Sequence, residues 1–429
     1  MFLVGGLAGI GQADGVPAVP ISDAHRPTVS PDRVILTWTK DPSTSQAVTW
    51  RSNPAVAKGI GQIAESKPNK EFVKEAKEVV ATTQAVKSKL FESHYHTVEF
   101  DGLKPGTKYL YRVGDGTNWT EWCQFITGSD KPEPFSFVYF GDAQNDVKEH
   151  WSRVIRESFT DSSKPRFFLH AGDLINHANN DDEWGDWHRA GGWANMMIAS
   201  VATPGNHEYE IQTVPPPPKN RVSLFWRPQF AFPLNGPAGL EETTYWFDYQ
   251  GARFVSLNSN QNVAEQVPWL EGVLSDNPNK WTIVTFHHPI YSAAPRRDNP
   301  LIRKYWQPIF DRYHVDLVLQ GHDHTYARTG MMTGTNVPEG ATAQTGKSGT
   351  VYVVSVSGPK MYDLSRNDMM KRAAANTQLY QVITVDGGEL RYRAHMATGE
   401  LYDAFTLKKS ENGPNQLIEQ VPATPERVN

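Results

Sequence analysis

Five times between residues 135 and 324, a short apolar run stops abruptly at a group of Asp, Asn or His. Phe135 to Phe140 ends at Gly141-Asp142-Ala143-Gln144, and Phe167 to His170 ends at Ala171-Gly172-Asp173. Val201-Ala202-Thr203 runs into Pro204-Gly205-Asn206-His207-Glu208, and Trp281 to Phe286 into His287-His288-Pro289. Val315 to Leu319, broken only by Asp316, leads through Gln320 to Gly321-His322-Asp323-His324. Apolar runs of this length between polar loops read as buried strands. Polar groups just beyond strand ends lie where open α/β sheets place ligands. Helical spacing separates the runs, at Trp151 to Phe159, Trp184 to Ala199, Gln261 to Leu274 and Leu301 to Tyr313. Residues 245 to 258 alternate as two strands, and Val351 to Val356, Gln378 to Val385 and Leu390 to His395 close the chain as strands. The pattern predicts a layered α/β domain: two sheets with flanking helices, four layers in the order α/β/β/α.

Upstream of Ser129 the period is different. Val34 to Trp38, Gln46 to Trp50, Tyr95 to Phe100, Lys108 to Val113 and Trp122 to Thr127 alternate with period two. Turns such as Asp41-Pro42-Ser43 and Gly102-Leu103-Lys104-Pro105-Gly106 separate them. This predicts a β-sandwich of roughly 100 residues. The charged stretch Glu71 to Lys87 fits a hairpin arm or a helix. The expected organisation is an N-terminal arm over 1–24, the sandwich over 25–129, the α/β domain over 130–410 and a polar, frayed tail over 411–429. Gly334 to Gly349 is expected to be a surface loop.

Composition narrows the classes of function. The net charge is -5, and no basic field points to a nucleic-acid polymer. Cys123 is the one cysteine, so no intramolecular disulfide or thiolate zinc site can form. No apolar run is long enough to span a membrane. Met1 to Ile10 is apolar and small, like a signal remnant without its basic region, and points to a secreted or periplasmic protein. Signatures for phosphate-cradling loops, His-Glu-x-x-His zinc sites and Gly-x-Ser-x-Gly elbows are absent.

The five loops supply Asp142, Gln144, Asp173, Asn206, His207, His287, His322 and His324. Oxygen and imidazole donors without thiolate suit Mn, Zn or Fe(II). With its blocks Gly141-Asp142-Ala143-Gln144, Gly172-Asp173-Leu174-Ile175-Asn176, Gly205-Asn206-His207-Glu208, Phe286-His287 and Gly321-His322-Asp323-His324, the chain resembles the calcineurin-like metallophosphoesterases. Within them it resembles the purple acid phosphatases, through His287-His288-Pro289-Ile290-Tyr291-Ser292 and the turn Gly102 to Tyr109 of a fibronectin type III-like sandwich.

The resemblance implies two divalent metal ions (Mn, Zn or Fe), with Asp173 bridging them. Asp142 and His324 would hold the first. Asn206, His287 and His322 would hold the second. His207 would stand near the leaving-group oxygen, with Glu208 orienting it. His288, Arg296 and Arg297, together with Asn206, would contact substrate. Two positions depart from the pattern. Asn176 stands where purple acid phosphatases have the tyrosine that binds ferric iron, so neither purple colour nor obligatory Fe(III) is expected. Gln144 stands where the wider superfamily has histidine; its carbonyl oxygen is a candidate ligand, and Asn176 either ligates or fixes Asp173 or substrate. The implied activity is hydrolysis of a small phosphate monoester by metal-activated hydroxide. The alternatives are a phosphodiesterase or nucleotide pyrophosphatase, and a non-catalytic binding protein built on the sandwich. A homodimer stays open.

Overall fold

The computed structural model describes residues 20–162, 164–212, 220–334, 349–410 and 414–428. Most of the N-terminal arm and most of the expected Gly334 to Gly349 loop therefore lie outside the described residues.

The first domain is a sandwich of two four-stranded antiparallel sheets. One sheet runs Asp32–Thr37, Ser45–Ser52, Glu92–Asp101, Thr82–Lys87; the other runs Lys77–Val80, Ile60–Glu65, Lys108–Gly114, Cys123–Ile126. The stretch Glu71 to Lys87 is neither a helix nor a single hairpin arm. It opens with a 3-10 turn over Lys70–Glu75. Lys77–Val80 then pairs in one sheet and Thr82–Lys87 in the other, and the chain crosses between the sheets at the buried Ala81.

The second domain packs two seven-stranded mixed sheets face to face, with helices outside. The first sheet orders Ala199–Ala202, Phe167–His170, Phe135–Phe140, Leu379–Asp386, Glu389–Met396, Leu401–Lys408, Gln416–Glu419. Its first three strands are parallel and the rest antiparallel. The second sheet carries the parallel run Ala252–Ser256, Trp281–Thr285, Leu317–Gln320, Thr350–Val354 between antiparallel edges. Phe137, Phe167 and Phe254 interlock between the sheets, with ring centroids 4.9 to 5.3 Å apart. Helices Val267–Ser275 and Pro300–Arg312 cover the second sheet through Leu270, Trp306 and Phe310. Helices Ser152–Asp161 and Asp181–Gly191 lie on the first, with Trp151, Trp184 and Trp187 buried; Trp193 is exposed.

Two expectations change. The helix expected from Gln261 begins only at Val267, because Gln266 is drawn into hydrogen bonds with Asn258 and Gln261. The C-terminal segment is not frayed. Gln416–Glu419 adds a seventh strand, Glu419 pairs with the buried Arg328 at 2.8 Å, and Ala375 donates its N–H to the Arg427 carbonyl. Polar side chains suit an edge strand with one solvated face.

The domains share one core. Trp38 of the sandwich packs on Phe167, Phe247 and Tyr249 at 5.5 to 5.6 Å. Elsewhere on the boundary the buried Asp181, in the first turn of its helix, meets two sandwich arginines, Arg33 at 2.6 Å and Arg51 at 3.3 Å.

Three histidines outside the candidate donor loops are buried as neutral rings. Burial pushes His170 and His188 down to about 3, the latter helped by Arg33, and burial with His94 pushes His96 down to about 4. The unfolded chain takes up these protons below about pH 6.5 while the native state does not, so stability is lost as pH falls from about 6.5. Each ring costs up to about 1.4 kcal/mol per pH unit in that window. Melting temperatures measured from pH 7 to 4.5 are expected to fall steadily. His170→Phe, which keeps the aromatic contacts, should flatten the slope; a pH-independent melt would refute this account.

Candidate metal centre

Every expected donor follows a parallel strand, and both sheets contribute. Asp142 and Gln144 follow Phe135–Phe140, Asp173 follows Phe167–His170, and Asn206 and His207 follow Ala199–Ala202. From the second sheet, His287 follows Trp281–Thr285, and His322 and His324 follow Leu317–Gln320. A lone parallel bridge between Asp142 and Val356 joins the two sheets here. Asp173, His322 and His324 have positive φ of 52°, 75° and 47°. Side chains held in this sparsely populated region concentrate at functional sites. The glycines of the motifs are there for space: a Cβ on Gly205 would overlap the Asp173 carboxylate, and one on Gly321 the Asp142 carboxylate.

The donors form two groups that meet at Asp173. In the first, His324 Nε2 lies 3.1 Å from Asp142 Oδ2 and 3.0 Å from the Gln144 amide, which is 3.0 Å from Asp173 Oδ2. In the second, His287 Nε2 lies 3.1 Å from Asp173 Oδ2, 3.2 Å from Asn206 Oδ1 and 3.1 Å from His322 Nδ1. All are buried. His287 gives its Nδ1–H to the Ala171 carbonyl, and His324 gives its own to the Lys360 carbonyl, each at 2.8 Å. These carbonyls hold Nδ1 as the donor, so Nε2 of His287 and of His324 is the atom turned to the Asp173 and Asp142 carboxylates. Asp142 Oδ2 and Gln144 Oε1 are buried without any hydrogen bond. Potential ligand atoms this close together, with orphaned oxygens beside them, fit cations between the donors. Turning the Gln144 amide over would bring its oxygen into the same position as its nitrogen.

Charges follow this crowding. Burial works against a charged His287, yet Asp173 and Asp142 outweigh it and hold the imidazole up to about 9. Burial would raise Asp173, but His287 and His207 hold it far below the usual carboxylate range. Burial, aided by neighbouring histidines, drives His288 and His322 well down, so both stand as neutral imidazoles.

His207 is half-buried, its Nε2 4.0 Å from Asp173 Oδ2 and its Nδ1 2.6 Å from the Asn176 carbonyl. That carbonyl, not Glu208, orients it. Glu208 is instead fully buried and accepts the backbone N–H groups of Asp173, Leu174 and Gly205 at 2.7 to 2.8 Å. Burial and the Asp173 charge push its carboxyl up to about 8. It holds two donor loops in register and does not touch the histidine. The Asn176 side-chain amide lies 3.2 Å from the His177 ring. Tyr209 is buried, its hydroxyl accepting the Asn258 amide N–H.

A cleft of about 890 Å³ opens over the donors. His288, Arg296 and Arg297 all line it. His288 Nδ1 is 2.8 Å from Ser259 Oγ, and its Nε2 is buried without a partner. Arg297 binds Asp323 at 3.1 Å and the His322 carbonyl at 3.0 Å. Arg296 is exposed on the wall. Two residues escaped sequence reasoning. Tyr362 stacks on His324 at 4.5 Å beneath Arg297, and nothing local marks it. Asp323 sits inside a conspicuous motif, and its buried carboxylate anchors Ser292, Ala293, Ala294 and Arg297.

Comparison with known proteins places both domains. Residues 31–127 match the model of the purple acid phosphatase N-terminal domain, and residues 135–326 match that of the calcineurin-like phosphoesterases. Purple acid phosphatase 15 of Arabidopsis thaliana is 26% identical over 266 residues, covering 54% of this chain and 49% of that protein. Fe(3+)-Zn(2+) purple acid phosphatase 12 of the same plant is 25% identical over 279 residues, covering 60% of this chain and 57% of that protein. The chain thus spans about half the length of the relatives it matches. The structure of purple acid phosphatase PPD1 from yellow lupin (Lupinus luteus) seeds shares the fold, with a TM-score of 0.73 at 18% identity, covering 89% of this chain and 75% of the other.

Proposed function

We propose that this chain, which belongs to the purple acid phosphatase-like group of calcineurin-like phosphoesterases, hydrolyses phosphate monoesters at a pair of divalent metal ions. The observation that carries this is the double donor group joined at Asp173. Asp142, Gln144 and His324 would hold one ion, Asn206, His287 and His322 the other, and Asp173 would reach both. Bound there, a metal pair lowers the pKa of a water and neutralises phosphate charge in an in-line displacement.

The chain's own groups supply the rest. His207, its Nδ1 fixed by the Asn176 carbonyl, keeps Nε2 turned toward the Asp173 carboxylate at the cleft, placed to hydrogen-bond the phosphoryl group or the leaving oxygen. His288, Arg296 and Arg297 stand along the cleft for phosphate oxygens. No nucleophilic side chain is required, so no phosphoenzyme is expected. One relative's name records Fe(3+) with Zn(2+). Here Asn176 replaces the iron-binding tyrosine and its amide contacts His177, which supports two divalent ions (Mn, Zn or Fe) and a colourless protein. Export to a secreted or periplasmic location rests on the apolar Met1 to Ile10, which is outside the described residues; among those described, no helix is long and apolar enough to cross a membrane.

The test is elemental analysis of the pure protein, combined with turnover of p-nitrophenyl phosphate and its bis-ester after chelation and metal add-back. About two divalent ions per chain, with monoester activity lost and restored, is the expected result. Faster turnover of the bis-ester would assign a phosphodiesterase instead. No turnover of either ester after Mn or Zn is supplied would overturn the enzyme.

A further inference from the structure

A second cavity, of about 360 Å³, lies between the two domains. Arg166 and Ala199, at the starts of strands Phe167–His170 and Ala199–Ala202, border it, so it lies at the opposite end of these strands from the metal donors. Its wall is apolar: Trp38 and Phe125 come from the sandwich, and Phe159 and Ile198 from the phosphoesterase domain. Its polar border has one sign. Lys108, Lys164 and Arg166 line it, and no acidic side chain does among the described residues. None of the three has an ion-pair partner among those residues. This local charge runs against a chain of net charge -5.

Cavities of a few hundred Å³ at a domain boundary, apolar with a few convergent charges, are the usual shape of a small-molecule site. The charge selects the occupant. A cation would meet three like charges, and a neutral apolar molecule would leave them unused. We propose that the cavity binds an amphipathic carboxylate. An alkyl or arylalkyl body would lie on Trp38, Phe125, Phe159 and Ile198, and the carboxylate would meet Lys108, Lys164 and Arg166. Because the site is made of both domains, its occupant ties them together and stabilises the native state by mass action. The metal centre takes no part, so the inference stands or falls separately from the proposed activity.

The test uses decanoate as probe, on the full chain, by isothermal titration calorimetry and thermal melting. One saturable site per chain and a raised melting temperature are expected, and decyltrimethylammonium should bind far more weakly. Lys108→Glu/Lys164→Glu changes two exposed side chains without ion pairs. This variant should melt like the parent when unliganded and bind decanoate at least about tenfold more weakly. Absence of saturable decanoate binding would overturn the proposal. So would unchanged affinity in the double variant, or equal binding of the cationic analogue, which needs no variant to measure.

Discussion

Asp173→Ala is expected to lower kcat/KM for p-nitrophenyl phosphate by about a thousandfold or more, which corresponds to about 4 kcal/mol of lost transition-state stabilisation. The reason is position. Asp173 Oδ2 reaches donor side chains of both groups, His287 at 3.1 Å and the Gln144 amide at 3.0 Å. Its other oxygen accepts the His207 backbone N–H at 2.9 Å, so it also seats the loop that carries this histidine. Asp173→Asn separates the two duties. It keeps an acceptor for the His207 N–H but removes the negative charge that two cations would share. Metal content measured beside the rate should drop below two ions per chain in both variants, and His207 should stay seated only in the Asn variant. Full activity with two ions bound would refute a bridging role.

Asp181→Ala is expected to destabilise the protein by about 3 to 5 kcal/mol, the usual cost of stripping one partner from a buried ion pair. Asp181 is 1% exposed and meets Arg33 at 2.6 Å and Arg51 at 3.3 Å. Arg51 keeps a second carboxylate, Asp32 at 2.7 Å, whereas Arg33 has only Tyr95 and a backbone carbonyl left. The loss therefore falls on Arg33 and loosens the joint between the domains. Denaturant unfolding of Asp181→Ala beside Asp182→Ala is the measurement. The neighbour makes no ion pair and should be near neutral. Equal effects at the two positions would show that the first helical turn matters and the pairing does not.

These cases show what a linear sequence can and cannot reveal. The candidate donors were legible because they put polar side chains at strand ends, where a packed sheet otherwise continues apolar, and the contrast is visible residue by residue. The four-layer architecture followed from the same alternation of apolar runs and amphipathic helices. Locally Asp181 is an acid at a helix start, with Asn180 as the cap. Its partners lie about 130 and 148 positions away, and no local pattern carries that distance. Glu208 looked like a partner for the adjacent His207 because neighbours in sequence are easy to pair. In a 3-10 turn its side chain instead reaches back to three amides. Gln416–Glu419 was passed over because an edge strand needs few apolar residues. Tyr362 had no signal, since its importance comes only from the ring beneath it.

The order in which the strands find their neighbours has a bearing on which metal the protein acquires. Phe135–Phe140 carries Asp142 at its end, but one of its two flanking strands is Leu379–Asp386, with Val138 opposite Val382. The sheet that aims the first carboxylates is therefore closed only when nearly the whole chain is available. Contacts that distant in sequence form late, and a donor set drawn from both sheets does not exist before them. A chain still being made, or still threading through a pore, presents scattered weak ligands rather than a site. Selection among competing ions is thus deferred to the place where the last strands dock, and the free-ion concentrations of that compartment, as much as the donors themselves, decide what the finished protein holds.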